Sequence, residues 1–321
     1  MKQLSKTLAL FSLIFFGNQN INAQEIPRLE KRGQATQLIV DGKPFLVLGG
    51  ELHNSSSSEL NYLNPLWAPL KQMNLNTALV AVSWELIEPQ EGKFDFTLVD
   101  GILKGARENK MRVVLLWFGS WKNGLSHYAP EWVKKDYKRF PRIVLENGKP
   151  TETLSALSTE SANADAKAFA ALMRHVKVVD GLKKTVIMVQ VQNEVGVIGG
   201  TRDHSAFANS EFKKQVPTAL LESLGKNKNE LQPSLKKLWE GTGSKISGNW
   251  NEVFGNGFAA DEAFMAWNYA TYVNTVTKAG KAEYNIPMFV NAWIVQPEDK
   301  KPGDYPGGGP QAHVHDIWRA G

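Results

Sequence analysis

The sequence predicts an α/β fold of repeated strand–helix units around a parallel sheet, either an α/β barrel or a doubly wound sheet. Three observations carry this. Five apolar runs, Phe45 to Gly49, Thr77 to Trp84, Arg112 to Phe118, Val186 to Val191 and Met288 to Trp293, are continuous rather than alternating, as strands covered on both faces require. Helical periodicity lies between them, over Tyr62 to Met73, Thr97 to Asn109, Asn163 to Val179 and Asp261 to Tyr284. Long segments follow the third and fourth runs, from Gly119 to about Thr159 and from Gly196 to about Ala260, on the side where barrel loops build sites.

Taken in order, residues 1–23 read as a secretory signal peptide. Lys2 and Lys6 precede the apolar run Leu8 to Phe16, and a polar stretch ends at Ala23, the expected cut. The run is too short to anchor the chain in a bilayer, so export to the periplasm or beyond, with no integral membrane segment after cleavage, is the expectation. The domain then runs from residue 24 to 321. Asp95 ahead of Leu98 and Ile102, and Ser161 ahead of the Ala-rich helix, supply capping signals. No G-x-G-x-x-G or P-loop pattern follows any strand, which weighs against nucleotide binding.

Composition narrows the chemistry. The chain of 321 residues has no Cys, which excludes disulfides, thiolate nucleophiles and Cys-ligated metal. Its net charge of +5 is spread among interleaved acidic residues with no dense basic run, so no nucleic-acid partner is expected. No cofactor is implied.

The fourth strand runs straight into Gln192-Asn193-Glu194-Val195-Gly196, placing polar side chains where a strand leaves the core. A carboxylate there suits a general acid, with the neighbouring amide holding a substrate hydroxyl. The plain alternative is that Asn193 and Glu194 end the strand and bond loop backbone. Trp84, Trp117 and Trp121 sit at or beyond strand ends, where an indole face can stack on a sugar ring or pack into the core. Glu51 and His53 follow the first strand and are placed either to reach a ligand or to hydrogen-bond the residues that do. Glu85 and Glu88 close the second, Glu88 reading as a structural acceptor before Pro89. His313, His315 and Asp316 form an H-x-H-D run with no further ligand at metal spacing, so a loop role is expected and no metal.

These residues resemble glycoside hydrolase family 35, the exported β-galactosidases, and a branch of it from polysaccharide-degrading bacteria. Val189 to Gly196 resembles the family's V-Q-x-E-N-E-Y-G, Trp84 to Pro89 its W-x-x-x-E-P, and Gly92 to Phe96 its G-x-F-D-F. Leu116 to Gly124, Ala129 to Trp132 and Glu262 to Tyr272 look like the branch. The chain departs from the family at Ala81, where an aromatic is usual, at Trp117 to Trp121 in place of Arg-Pro-Gly-Pro-Tyr, at Gln192 in place of Glu, and at Leu125, where the Asn-Ala-Glu matched to Asn123 has its carboxylate. The resemblance implies a (β/α)8 TIM barrel, incomplete here with about five strand–helix units, and a retaining β-galactosidase. Its substrate would be terminal β-galactose of oligo- or polysaccharides. Glu194 would be the acid/base, Asn193 a ligand of the sugar 2-hydroxyl, and Asn123, Trp121, Trp117, Trp84 and Glu51 substrate-binding. The nucleophile, on the family's seventh strand, would lie beyond this chain, making residues 24–321 the N-terminal part of the catalytic barrel and inactive alone. The alternative is a carbohydrate-binding protein without hydrolytic activity.

Overall fold

The computed structural model describes residues 25–321. The signal-peptide expectation for residues 1–23 lies outside the described residues. The chain opens with an antiparallel three-stranded sheet, β1 (Arg28–Arg32), β2 (Ala35–Val40) and β3 (Lys43–Pro44), that the apolar pattern did not announce. The barrel layer follows: β4 (Gly49–Glu51), α1 (Leu60–Leu63), α2 (Trp67–Gln72), β5 (Thr77–Ser83), α3 (Trp84–Ile87), α4 (Thr97–Glu108) and β6 (Arg112–Lys122). The first long insertion contains α5 (Glu131–Lys135) and the hairpin β7 (Arg142–Val144) with β8 (Pro150–Leu154), ahead of α6 (Thr159–Asp180) and β9 (Val186–Asn193). The second holds α7 (Ala206–Phe212), α8 (Thr218–Lys226), α9 (Pro233–Gly241) and α10 (Trp250–Phe254). The long α11 (Phe258–Glu283), β10 (Met288–Phe289) and α12 (His315–Ala320) close the described chain.

Strands β4, β5, β6, β9 and β10 are neighbours in that order in one parallel sheet. These are five consecutive strands of an α/β barrel: the apolar runs predicted the parallel strands, and the resemblance implied the barrel. Two boundaries differ. The first run was expected over Phe45 to Gly49, yet Leu46 is 76% exposed and the strand is Gly49–Glu51. The last was expected to reach Trp293 and pairs only at Met288 and Phe289.

The alternation within β6 explains how the sheet is covered. Val113, Leu115 and Trp117 join the main core between sheet and helices, while Val114, Leu116 and Phe118 join a smaller cluster on the other face. Leu38 and Val40 of β2 reach that second cluster, so the N-terminal sheet covers one end of the concave face. Asp41, in the β2–β3 turn, pins it there by pairing with Arg112 and Lys184, at the starts of β6 and β9. On the convex face α6 and α11 lie so close that a Cβ on Gly280 would collide with the Phe169 ring. The cap of α6 falls three residues earlier than Ser161: the Ser158 side chain accepts from the Ser161 N–H. Asp95 does accept a hydrogen bond, from the Thr97 N–H at 2.8 Å, at the entry to α4.

Candidate active site

The carboxyl ends of β4, β6, β9 and β10 bring together Glu51, Lys122, Asn123, Asn193, Glu194 and Asn291. Pairing of β6 with β9 sets Lys122 opposite Asn193 after a register shift that follows Trp117. The backbone turns sharply there: Asn123, Gln192 and Glu194 have φ of +53°, +63° and +48°, in the left-handed region. Such strain persists only where the surroundings hold it. The Asn123 N–H donates to the Asn193 carbonyl at 3.1 Å, the Trp121 N–H to Gln192 Oε1 at 3.0 Å, and the Glu194 N–H to Asn291 Oδ1 at 2.9 Å. Gly196 is fixed as glycine, because at its φ of +144° a Cβ would meet the backbone of Pro306.

Beneath this turn Asp165 of α6 is fully buried and accepts three hydrogen bonds, from Trp117 Nε1 at 2.8 Å, the Ser120 N–H at 2.9 Å and Gln192 Nε2 at 2.7 Å. One carboxylate thus ties the ends of β6 and β9 to the helix layer. Burial pushes its pKa up, the three donors only partly opposing this.

Glu194 is half-buried, and burial raises its pKa above the usual glutamate value, with Glu51 pushing the same way and Lys122 opposing. Lys122 is displaced in the other direction, its pKa lowered by burial, and the fields of Glu194 and Glu51 offset part of that. The Lys122 ammonium donates to Asn123 Oδ1 and lies 5.3 Å from the centre of the Phe118 ring. Asn193 is 3% exposed and its Oδ1 has no partner among the described residues. A buried amide oxygen left open in this way is costly unless a ligand or water supplies a donor.

The three indoles expected to stack on sugar are placed otherwise, a correction to the sequence reading. Trp84, Trp117 and Trp121 are each fully buried. Their N–H groups are spent on Glu88 Oε2 at 2.8 Å, Asp165 Oδ1 at 2.8 Å and the Leu154 carbonyl at 3.1 Å. Trp84 packs edge-on to Trp132, Trp117 against Phe169, and Trp121 against Tyr269 and Tyr272. These rings are walls behind the site, with no face open to a ligand. Glu88 has the structural role expected of it, accepting from Trp84 and from the Gly92 N–H at 2.7 Å. Glu85 pairs with Lys134 at 3.1 Å. The H-x-H-D run disperses: His313 pairs with Glu262 at 2.9 Å, Asp316 accepts from the Gln232 N–H at 2.7 Å, and His315 is exposed. Among the described residues no three His, Asp or Glu side chains converge on a metal position.

Glu51 and His53 are exposed at the end of β4. Lys122 and Asn291 were not singled out in the sequence. Lys122 lies within the Leu116 to Gly124 stretch that looks like the branch, and Asn291 within the fifth apolar run, but neither stretch assigned a role to these two residues.

With this geometry in view, the comparisons decide the family. The family model Glyco_hydro_42, described as β-galactosidase, matches residues 63–242, more than half of the chain. The chain belongs to this β-galactosidase family. A β-galactosidase of Xanthomonas manihotis is 34% identical over 85 residues, which are 26% of this chain and 14% of that protein. Two solved structures share the fold: a β-galactosidase from Bacillus circulans sp. alkalophilus, with TM-score 0.51 and 15% identity, and one from Rahnella sp. R3, with TM-score 0.50 and 18% identity. Each alignment covers 77% of this chain and 36% of the other, so the chain spans about a third of those proteins. Among the described residues no helix is long and apolar enough to cross a membrane.

Proposed function

We propose that this chain carries the acid/base half of a retaining β-galactosidase site, acting on terminal β-galactose of galactose-containing oligo- or polysaccharides outside the cytoplasm. The observation that carries the reading is Glu194: a half-buried carboxyl at the carboxyl end of β9, with its pKa held up by burial, beside a buried Asn193 whose Oδ1 lacks a partner among the described residues. A raised pKa favours the protonated form of a carboxylic acid, the form that can donate to the departing glycosidic oxygen. The orphaned oxygen of Asn193 suits a sugar hydroxyl, and Asn123, held by Lys122, contributes a second amide.

In a retaining mechanism the acid protonates the leaving group while a second carboxylate, about 5–5.5 Å away, attacks the anomeric carbon. The first carboxylate then serves as base to activate water. The reading takes that second carboxylate from a seventh strand, as the family 35 resemblance implies, and promotes none of Glu51, Glu85 or Glu88 to the role. The finer kinship with family 35 is part of the proposal, supported by the Gln192-Asn193-Glu194 strand end and the Trp84 to Pro89 motif. Export rests on the pattern of residues 1–23, and the N-terminus of the secreted protein checks it: a start at Gln24 supports it, a start at Met1 opposes it.

The experiment is the stereochemistry of turnover. Proton NMR of a form of the protein that includes the seventh strand and its carboxylate, acting on an aryl β-galactoside, should show β-galactose first, followed by mutarotation. Initial α-galactose would remove the retaining mechanism, and binding of galactosides with no turnover would favour a carbohydrate-binding protein instead.

A further inference from the structure

We propose that Lys122 is a positioning residue of this site: its ammonium, held between the carboxyl ends of β4, β6 and β9, fixes the Asn123 amide and sets the protonation of Glu194. The inference rests on the proposed acid role of Glu194 but is tested without turnover.

The placement is built in three steps. The shift in pairing after Trp117 brings Lys122 opposite Asn193, one residue from Glu194. Two hydrogen bonds then lock the neighbourhood, from the Lys122 N–H to the Leu125 carbonyl and from Leu125 N–H to the Lys122 carbonyl, at 2.8 and 3.1 Å, so the side chain projects from a tight turn rather than a mobile loop. Finally, the ammonium has a fixed acceptor, Asn123 Oδ1, and an aromatic face, Phe118. It forms no ion pair within 4 Å among the described residues, although Glu51 and Glu194 both act on it through space. A half-buried cation that sits near two carboxylates and yet bonds a neutral amide leaves its charge available to both carboxyls.

The charged groups acting on Glu194 are few. β4 supplies Glu51 and β6 supplies Lys122, while β10 supplies the neutral Asn291, which takes the backbone N–H. Burial and Glu51 favour the protonated acid, and Lys122 favours the carboxylate. These roles match what the two halves of a retaining reaction need from one residue, a proton to give and then a carboxylate to take one. Without the cation Glu194 would hold its proton too firmly for the second half.

The test is a pH titration of the Glu194 carboxyl by carbon NMR in the full chain labelled at the glutamate carboxyl carbon, the resonance being assigned by its loss in Glu194→Gln. Lys122→Met should move the Glu194 midpoint upward by about one pH unit, the scale of a single nearby charge. Lys122→Gln, which keeps an amide donor for Asn123 but no charge, should move it as far, and Lys122→Arg should leave it near the parent value. A midpoint that stays or falls in both neutral variants overturns the proposal, as does an equal upward move in Lys122→Arg. Should a form of the protein that includes the seventh strand and its carboxylate show no galactoside hydrolysis while the titrations behave as stated, the acid role falls and the electrostatic role of Lys122 stands.

Discussion

Replacing Asp165 should unfasten the site from its scaffold at a cost that can be worked from its three bonds. In Asp165→Ala, Trp117 Nε1, the Ser120 N–H and Gln192 Nε2 lose their shared acceptor in a fully buried place. A buried donor left unpaired costs about 1–3 kcal/mol, and with partial relaxation the three together should cost about 3–6 kcal/mol. Asp165→Asn keeps one acceptor oxygen but turns an NH2 group toward a donor, so about half that loss is expected. Urea unfolding followed by tryptophan fluorescence measures both, with unchanged m-values as the sign of intact two-state behaviour. The pH dependence adds a second reading. Because burial raises the Asp165 pKa, the native chain keeps a proton that the unfolded chain has already released. On this group's account stability is full below the ordinary aspartate pKa and falls as pH rises from there to the native value. Asp165→Asn should lose that fall. A cost below about 1 kcal/mol for Asp165→Ala would refute the reasoning, since it would mean the three donors find other partners.

Asn291→Ala removes the acceptor that holds the Glu194 N–H at φ +48°. It should lower kcat/KM for an aryl galactoside about tenfold while shifting stability by less than about 1.5 kcal/mol, measured by steady-state kinetics and urea titration. Trp84→Phe should destabilise by about 1–3 kcal/mol through the lost bond to Glu88 and the void, yet leave KM within about twofold; a large KM increase at unchanged stability would restore the sugar-contact reading. The alkaline limb of kcat/KM, set by loss of the Glu194 proton, should lie above the usual glutamate range, since burial raises that pKa; a limb at or below the ordinary value would contradict the placement.

The strands were legible because a parallel strand covered on both faces cannot hide its apolar run: Thr77–Ser83 and Val186–Asn193 fall almost where the pattern put them. Phe45 to Gly49 misled because Leu46 and Leu48 are apolar yet lie exposed, and apolarity was the only signal read. The N-terminal sheet went unread because β1 is polar except at Leu29 and the apolar stretch of β2 is only Leu38 to Val40; the turns at Gly33 and at Asp41-Gly42 were the signal available. Glu194 was legible as a carboxylate at the end of a strand. The indoles were not, because a strand end does not say which face a ring takes: Trp117 shares a face with Val113 and Leu115, which turn to the helices. Lys122 and Asn291 needed the register of β6 against β9 and the place of β10, which no local pattern encodes.

The central claim, that Glu194 gives its proton to the leaving group, is tested most directly by Glu194→Gln on two galactosides, one with a dinitrophenyl leaving group and one with an alkyl leaving group. A good leaving group departs without protonation, so kcat/KM should fall about 10²–10⁴-fold for the alkyl galactoside and far less for the activated one. Azide should accelerate turnover of the activated substrate and yield β-galactosyl azide, because a small anion can attack where the missing base no longer activates water. Equal losses on both substrates, with no azide product, would contradict the account.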